Sequence, residues 1–332
     1  MAFDVSAISA WTDELGDKSD FILKPILAAK TLQVLTGVDK RMGIKGHTIK
    51  IPTFETTTPW ANGSACGFTP SGTTTVGQIS LTTVPVTIQE SICLKTLEGY
   101  FTQKLLPAND RPETFQLLDM WTGRKMEQVA LQMESALWQA KTTYTNATHL
   151  KHFNGWIATL DTAGTAIAAT QQASISTTTV RGIIEEIAFT KIPSRIRSMN
   201  PVILCGQDTF LIYKQKLMAD NLYHYDPSND NVNGINTNGW SMTVFGTNVK
   251  LVALPGLNND NAVDTGALPT AVKNRIFATY EDNFMIGMNA ENDIADFKVW
   301  FSDDDDLLKF KTRFHIGVGI KYPELVVQYT NS

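Results

Sequence analysis

Between residues 307 and 321 the sequence reads LLKFKTRFHIGVGIK, and its alternation is the tightest constraint on the fold. Leu308, Phe310, Phe314, Ile316, Val318 and Ile320 fall on one side of an extended chain, with polar Thr312 in the same parity. Lys309, Lys311, Arg313, His315 and Lys321 fall on the other. A period of two is the signature of a half-buried strand. Thirteen such residues, against a usual five or six, would run about 43 Å. A strand of that length needs a long partner to cover its apolar face.

The sequence offers one. Residues 110–143 carry Phe115, Leu118, Met126, Val129, Met133, Leu137 and Ala140, continued by Tyr144, at mostly three- and four-residue steps, which predicts a helix with one apolar stripe. Asp110 and Glu113 have capping-box spacing, and Pro112 sits in the first turn, where its missing N–H is harmless. Such a helix would be on the order of 50 Å long. The economical arrangement lays its stripe on the apolar face of the long strand.

Ahead of the helix, HTIKIPTF (47–54) and GQISLTTVPVTIQESI (77–92) are rich in β-branched residues and read as two strands. The Gly-, Pro-, Ser- and Thr-rich stretch between them has little to bury, so the pair forms a long two-stranded projection. Two strands alone are marginal in water, and the projection is expected to rest on a partner. Residues 1–45 read as an arm with a short amphipathic piece around 22–35, interrupted by Pro25. Its first twenty residues alternate acids with apolar side chains. Residues 148–285 read as an α/β region. A helix in TTVRGIIEEIAF is capped by Thr177 to Thr179, PVILC is a buried strand, GQDTFLIYKQKLM a helix, and VKLVALPG and RIFATY are further strands. The fold class is α+β.

Charge and cysteine content exclude several functions. With 28 basic against 33 acidic residues the chain lacks the overall basic footprint of a dedicated nucleic-acid binder. Cys66, Cys93 and Cys205 are odd in number and form no CxxC, which supports neither a disulfide framework nor a zinc knuckle. The expected setting is the reducing cytosol. No secretion signal opens the chain, and no apolar run reaches bilayer length.

Four places invite a reading as a site. Asp303, Asp304, Asp305 and Asp306 stand between two strand patterns, where a solvated hairpin turn is natural, and consecutive carboxylates point in different directions instead of converging on a cation. Asn229, Asn231, Asn233 and Gly234 have the spacing of a calcium loop, but Trp240 stands where the bidentate glutamate belongs. His149 and His152, three apart, could share a helix face as zinc ligands, with no third ligand in view. Cys205, followed by Gly206, Gln207 and Asp208, stands at a strand-to-helix turn without the GxSxG pattern, and reads as a buried cysteine. No phosphate-cradling glycine motif is present. The expectation is no catalytic residue, no cofactor and no metal.

The order of arm, β projection, long helix, α/β region and long returning strands resembles the major capsid protein of tailed bacteriophages, the Hong Kong ninety-seven-like fold shared with encapsulin nanocompartments. The likeness is carried by ADFKVWFSDDDDLLKFKTRFHIGVGIKYPELVV with its Tyr322–Pro323 pair, by FGTNVKLVALPG and by NRIFATYEDNFMIGMN. The resemblance implies an N-terminal arm over 1–45 and an extended loop over 46–92 lying on a neighbour. It implies a peripheral domain with the spine helix over 93–148, an axial domain over 149–280, and a return to the peripheral domain over 281–332. It implies self-assembly into hexamers and pentamers of an icosahedral shell. The implied partners are a separate scaffolding protein, a portal, decoration proteins and packaged double-stranded DNA on the inner face without sequence specificity, and no membrane. Residues 1–45 are too short for a scaffolding segment of their own, which is why a separate scaffold, or prior removal of the segment, is implied. The implied location is the virion capsid, assembled in the host cytoplasm. Some relatives crosslink a lysine to an asparagine; Lys45 and Lys50 lie near the projection, without a motif naming a partner. An encapsulin-type shell, an α/β enzyme using Asp208, His149 or His152, and a tail or baseplate protein are the other readings.

Overall fold

The computed structural model describes residues 29–44, 48–57, 60, 72–93, 113–144, 149–220, 240–259, 272–289, 298–302, 304–305 and 307–331. The chain enters as helix α1 (Lys30–Val34), then strand β1 (Asp39–Arg41), β2 (Thr48–Thr57), β3 (Thr73–Thr82) and β4 (Val84–Cys93). Helix α2 (Glu113–Gln139) follows, then α3 (Trp156–Ala163) and β5 (Ile167–Ala168). Next come α4 (Val180–Glu185), α5 (Ser194–Arg197), β6 (Val202–Cys205), α6 (Gln207–Ala219), β7 (Ser241–Thr243) and β8 (Lys250–Ala253). The closing strands are β9 (Ile276–Thr279), β10 (Phe284–Met288), β11 (Lys298–Ser302), β12 (Leu307–Ile320) and β13 (Val327–Tyr329).

The long alternating strand is β12, at 14 residues about 46 Å long. Every even position from Leu308 to Ile320, Thr312 included, is buried. Of the odd positions, Lys309, Lys311 and His315 are half-buried and Arg313 is exposed. β12 is the spine of a five-stranded sheet. β4 lies antiparallel along one edge, from Leu307↔Cys93 to Ile316↔Val84. β11 and β10 share the other edge, and β1 pairs parallel with β10.

The second sheet has six strands in the order β5-β13-β9-β6-β8-β7. All four residues of β6 and of β9 are buried, as expected of strands covered on both faces. Alternate residues feed two cores. Val202, Leu204, Val252 and Phe277 join the core that also holds α2, α3 and the inner face of β12. Ile203, Cys205, Leu251, Ile276 and Ala278 join a second core with α4 and α6. The two sheets meet at an aromatic junction. Trp138 of α2 lies 4.8 Å from Trp156 of α3, 5.7 Å from Phe277 and 5.5 Å from Phe284, centroid to centroid. The Trp156 indole donates to the Gly319 carbonyl of β12 at 3.1 Å.

Several expectations change. The projecting ribbon is β2 with β3, paired over ten residues from Thr48↔Thr82 to Thr57↔Thr73. The single strand expected over 77–92 is two strands broken at Thr83, and its second half, β4, belongs to the five-stranded sheet. Helix α2 ends at Gln139, about 40 Å from its start, and not at 143. Its last turns carry no stripe: residues 133–140 are buried on every side, because α1, α3 and the turn after β8 enclose them. Asp110 and Pro112 lie outside the described residues. Thr179 does not cap α4. Its hydroxyl donates to the Ser174 carbonyl and accepts from the Ser176 N–H, which closes the preceding turn instead. The end of the chain leaves the five-stranded sheet, and β13 pairs with β9 and β5 in the six-stranded one.

Leu137 has no exposed surface and sits in the core shared by both sheets. Leu137→Asp buries an unpaired charge there, and a loss of roughly 4 kcal/mol or more is expected. Denaturant unfolding of purified subunit measures it; a soluble variant with wild-type stability would refute this packing.

Candidate assembly site

The β2–β3 ribbon is the part of the subunit whose composition its own fold does not explain. Its residues are threonine-rich and β-branched, so it forms a well-registered hairpin. Hydroxyl pairs link Thr48 to Thr82, Thr56 to Thr74 and Thr57 to Thr73 at 3.2, 3.4 and 2.8 Å. Among the described residues, no layer covers it beyond its root. Phe54 and Val76, opposite each other in register, are 63% and 65% exposed, and Trp60 is fully exposed. Among the described residues of the ribbon, Leu81, near the root, is the buried one.

The root is seated by glycines. A Cβ placed on Gly317 would lie 2.0 Å from the Thr82 carbonyl oxygen, so only glycine admits the ribbon across the outer face of β12. Leu81 occupies the neighbouring space over Gly287 and Gly319. The alternation of β12 therefore has two halves: lysine, arginine and histidine at its odd positions from 309 to 315, and glycine at 317 and 319 where the ribbon crosses it.

The aspartates fall where a hairpin turn was expected, since Ser302 of β11 pairs with Leu307 of β12. Asp304 and Asp305 are exposed; Asp303 and Asp306 lie outside the described residues. Asp305 accepts hydrogen bonds from Lys309 and from the Ser302 hydroxyl, and the Lys309 bond in particular holds its carboxyl below the ordinary 3.8. His149 and His152 stand on a bend after α2 and share no helix face. His149 Nε2 is 3.1 Å from the Ser135 hydroxyl. Both histidines line a cavity of about 280 Å³ between α2 and β4, with Val86, Ile88, Met133 and Phe314. Cys205 is fully buried and burial pushes its thiol pKa up, so no thiolate is available there, and Asp208 is exposed in the first turn of α6. Among the described residues no three His, Cys, Asp or Glu side chains converge as metal ligands, and no helix is long and apolar enough to cross a membrane. Asn229, Asn231, Asn233, Gly234 and Lys45 lie outside the described residues. Lys50 is exposed on the ribbon.

One polar residue of consequence was not singled out from the sequence. Glu134 is buried in α2, and both its oxygens accept hydrogen bonds. Oε2 takes the Thr31 N–H at 2.8 Å, and Oε1 takes the Thr31 hydroxyl at 2.6 Å and the Gly256 N–H at 3.1 Å. The Thr31 hydroxyl accepts in turn from Trp138 Nε1 at 2.8 Å. One carboxyl thus ties the end of the arm, the long helix and the turn after β8 together. Burial raises its pKa above the ordinary 4.5, outweighing the three donors that favour the anion. The signal in the sequence was a carboxylate amid apolar residues at a helix end with no basic neighbour.

No protein-family model and no curated protein sequence matches the chain. Solved structures match along most of its length. The capsid of Myoviridae phage XM1 superposes with a TM-score of 0.55 at 11% identity, over 91% of this chain and 92% of that one. The satellite phage P4 procapsid including size determination (Sid) protein gives 0.54 at 10% identity, over 94% and 99%. The capsid of an empty GTA particle gives 0.54 at 10% identity, over 92% and 90%. The chain has the phage-capsid fold. The likeness is one of chain path, since about nine residues in ten differ.

Two measurements test these assignments. Changing Asp303, Asp304, Asp305 and Asp306 together to Asn keeps the turn propensity and removes charge, so melting in ordinary salt should be unchanged, with or without EDTA or calcium. A calcium-dependent rise in melting temperature that the Asn variant loses would make the turn a cation site. Glu134→Gln keeps one acceptor but turns an amide N–H toward a backbone or hydroxyl donor, costing about 1–3 kcal/mol. Because the folded pKa is raised, the native state holds the proton more tightly. The wild-type advantage over Gln should therefore be greatest below pH 4.5 and shrink as pH rises through the folded pKa. A gap that widens with pH in denaturant titrations would contradict the assignment.

Proposed function

We propose that the chain is a major capsid protein that assembles into hexamers and pentamers of an icosahedral shell around phage double-stranded DNA, and that it is not an enzyme. The observation that carries this is the ribbon, ten paired residues long, which holds Phe54, Trp60 and Val76 in solvent on a subunit of capsid fold. An exposed apolar edge of this kind is an aggregation hazard unless a specific surface receives it. Identical subunits can supply that surface by heterologous contacts that close into a shell. In this reading the five-stranded sheet with α2 is the peripheral unit and the six-stranded sheet the axial one.

The working partners are other copies of the chain, a separate scaffolding protein, a portal, decoration proteins, and packaged DNA held without sequence specificity. The P4 structure, a procapsid that includes a size determination protein, supports an assembly partner of that kind. The working location is the virion capsid, with assembly in the host cytoplasm.

Expression of the full chain with its genomic neighbours, followed by electron microscopy, tests the reading. Closed shells are expected, and particles holding protein but no nucleic acid would replace the phage reading by a nanocompartment. Replacing residues 54–76 by Asn-Gly joins Thr53 to Gly77, which are register partners, through a two-residue turn. That variant should melt as wild type and form no shells. Normal shells from it, or unfolding as severe as that of Leu137→Asp, would refute the role given to the ribbon.

A further inference from the structure

Helix α2 and strand β4 run antiparallel, tied at one end by an ion pair between Lys125 and Glu90. Beyond that pair the seam between them is not filled. Val84, Val86 and Ile88 of β4 lie opposite Ile316, Phe314 and Thr312 of β12 in register, yet only the β12 residues are buried. Apolar positions on a covered sheet face are expected to close up, because protein interiors pack as densely as organic crystals. Here a cavity of about 280 Å³ lies between strand and helix. An apolar void of about 150 Å³ already takes up benzene, and pockets for small ligands begin at about 300 Å³.

The cavity has a dry end and a wet end. Its apolar wall combines Val86 and Ile88 of β4, Phe314 of β12, Val129 and Met133 of α2, and Phe153 of the bend after the helix. Thr87, Gln89, Gln132 and His152 also line it, are exposed, and mark the mouth. Gln89 comes from the strand and Gln132 from the helix, so primary amides stand on both lips. His149, half-buried in the lining, is engaged with the Ser135 hydroxyl. Among the described residues no Asp, Glu, Lys or Arg side chain lines the cavity. The carboxylate of β4, Glu90, is taken up by Lys125, and Lys151 is exposed next to His152 in the chain. An anionic head at the mouth therefore meets amide and imidazole groups and no opposing carboxylate. Water is poorly held at the dry end, since a buried water needs about three hydrogen-bond partners. The shape is elongated: Val129, Gln132, Met133 and Ala136 share one face of α2 over about 10 Å, beside Val86 to Gln89. A straight chain fills such a slot better than a fused ring system.

We propose that the slot between α2 and β4 binds a medium-chain alkyl carboxylate. The chain lies inward against Val86, Ile88, Met133 and Phe314, with the carboxylate at the mouth beside the Gln89 and Gln132 amides. Binding needs one subunit only and stands apart from the shell reading. β4 continues through Thr83 into β3, so a ligand wedged against β4 braces the ribbon at its root.

Calorimetric titration of the full-length protein with sodium decanoate, below its micelle concentration, tests this. One saturable site per chain is expected, together with a higher melting temperature. Decyltrimethylammonium has the same chain with the opposite charge, and naphthoate has the same head on a ring body. Each should bind at least about tenfold more weakly than decanoate. Val129→Trp fills the slot from a half-buried position, so it should melt as wild type and lose decanoate binding. Gln89→Glu with Gln132→Glu should abolish the preference for decanoate over the cation. Hydrogen exchange on the wild-type protein needs no variant, and decanoate should slow it in residues 86–89 and 129–136. Protection confined to other segments overturns the proposal, as does a folded Val129→Trp protein that binds decanoate unchanged. Equal or tighter binding of decyltrimethylammonium or naphthoate overturns it as well. Absence of saturable binding refutes it, and if Val129→Trp then also loses association in sedimentation, a side chain of another copy is the occupant.

Discussion

Residues 133–140 have no solvent side, and most of the architecture follows from that. A helix end buried all round must satisfy every polar group from within. Glu134 does so through Thr31 and Gly256, and Gln139 Nε2 donates to the carbonyls of Gly256 and Asn258 at 2.8 and 2.9 Å, while its Oε1 is buried without a hydrogen-bond partner. Those partners come from α1 and from the turn after β8, so the requirement of one helix fixes the exit of the arm and the position of the six-stranded sheet. Gly256 is part of the same constraint, since a Cβ there would lie 2.5 Å from the Trp138 ring and 2.6 Å from the Glu134 carbonyl.

Two cores separated by one sheet give the subunit unequal halves. The central strands of the six-stranded sheet, β6 and β9, are buried on both faces and form a shared wall, whereas the outer side of β12 in the five-stranded sheet carries half-buried and exposed positions. Stability resides in the wall and the aromatic junction around Trp138. Among the described residues, the exposed apolar groups Phe54 and Val76 lie on the ribbon, outside both cores. Substitutions in the two places should therefore have separable effects, on folding in one and on association in the other.

The long strand, the long helix, the acidic turn and the ribbon were all legible, because each follows from a local period or from turn chemistry. The break at Thr83 was legible too, though finer. Ile79 and Leu81 hold odd positions while Val84, Val86 and Ile88 hold even ones, and a shift of parity cannot occur inside one strand that keeps a single buried face. What could not be read came from tertiary enclosure. A helix covered on all sides shows no stripe, so nothing in 133–140 announced where the stripe would stop. Glu134 drew no notice because its partners lie 103 and 122 residues away. The transfer of Val327–Tyr329 to the other sheet depended on three residues, too few for any period.

The seat of the ribbon on Gly317 has a mechanical consequence. Contact between the Thr82 carbonyl and a glycine backbone leaves no side chain whose rotation could take up slack, so the ribbon leaves the sheet at one set angle. That angle acts like the bevel on a barrel stave. Wherever the tip rests on a neighbour, the tilt between the two bodies is dictated at the root, some 30 Å away along the strands. A methyl group at that one position would recut the bevel and change the curvature that any array of these subunits could adopt.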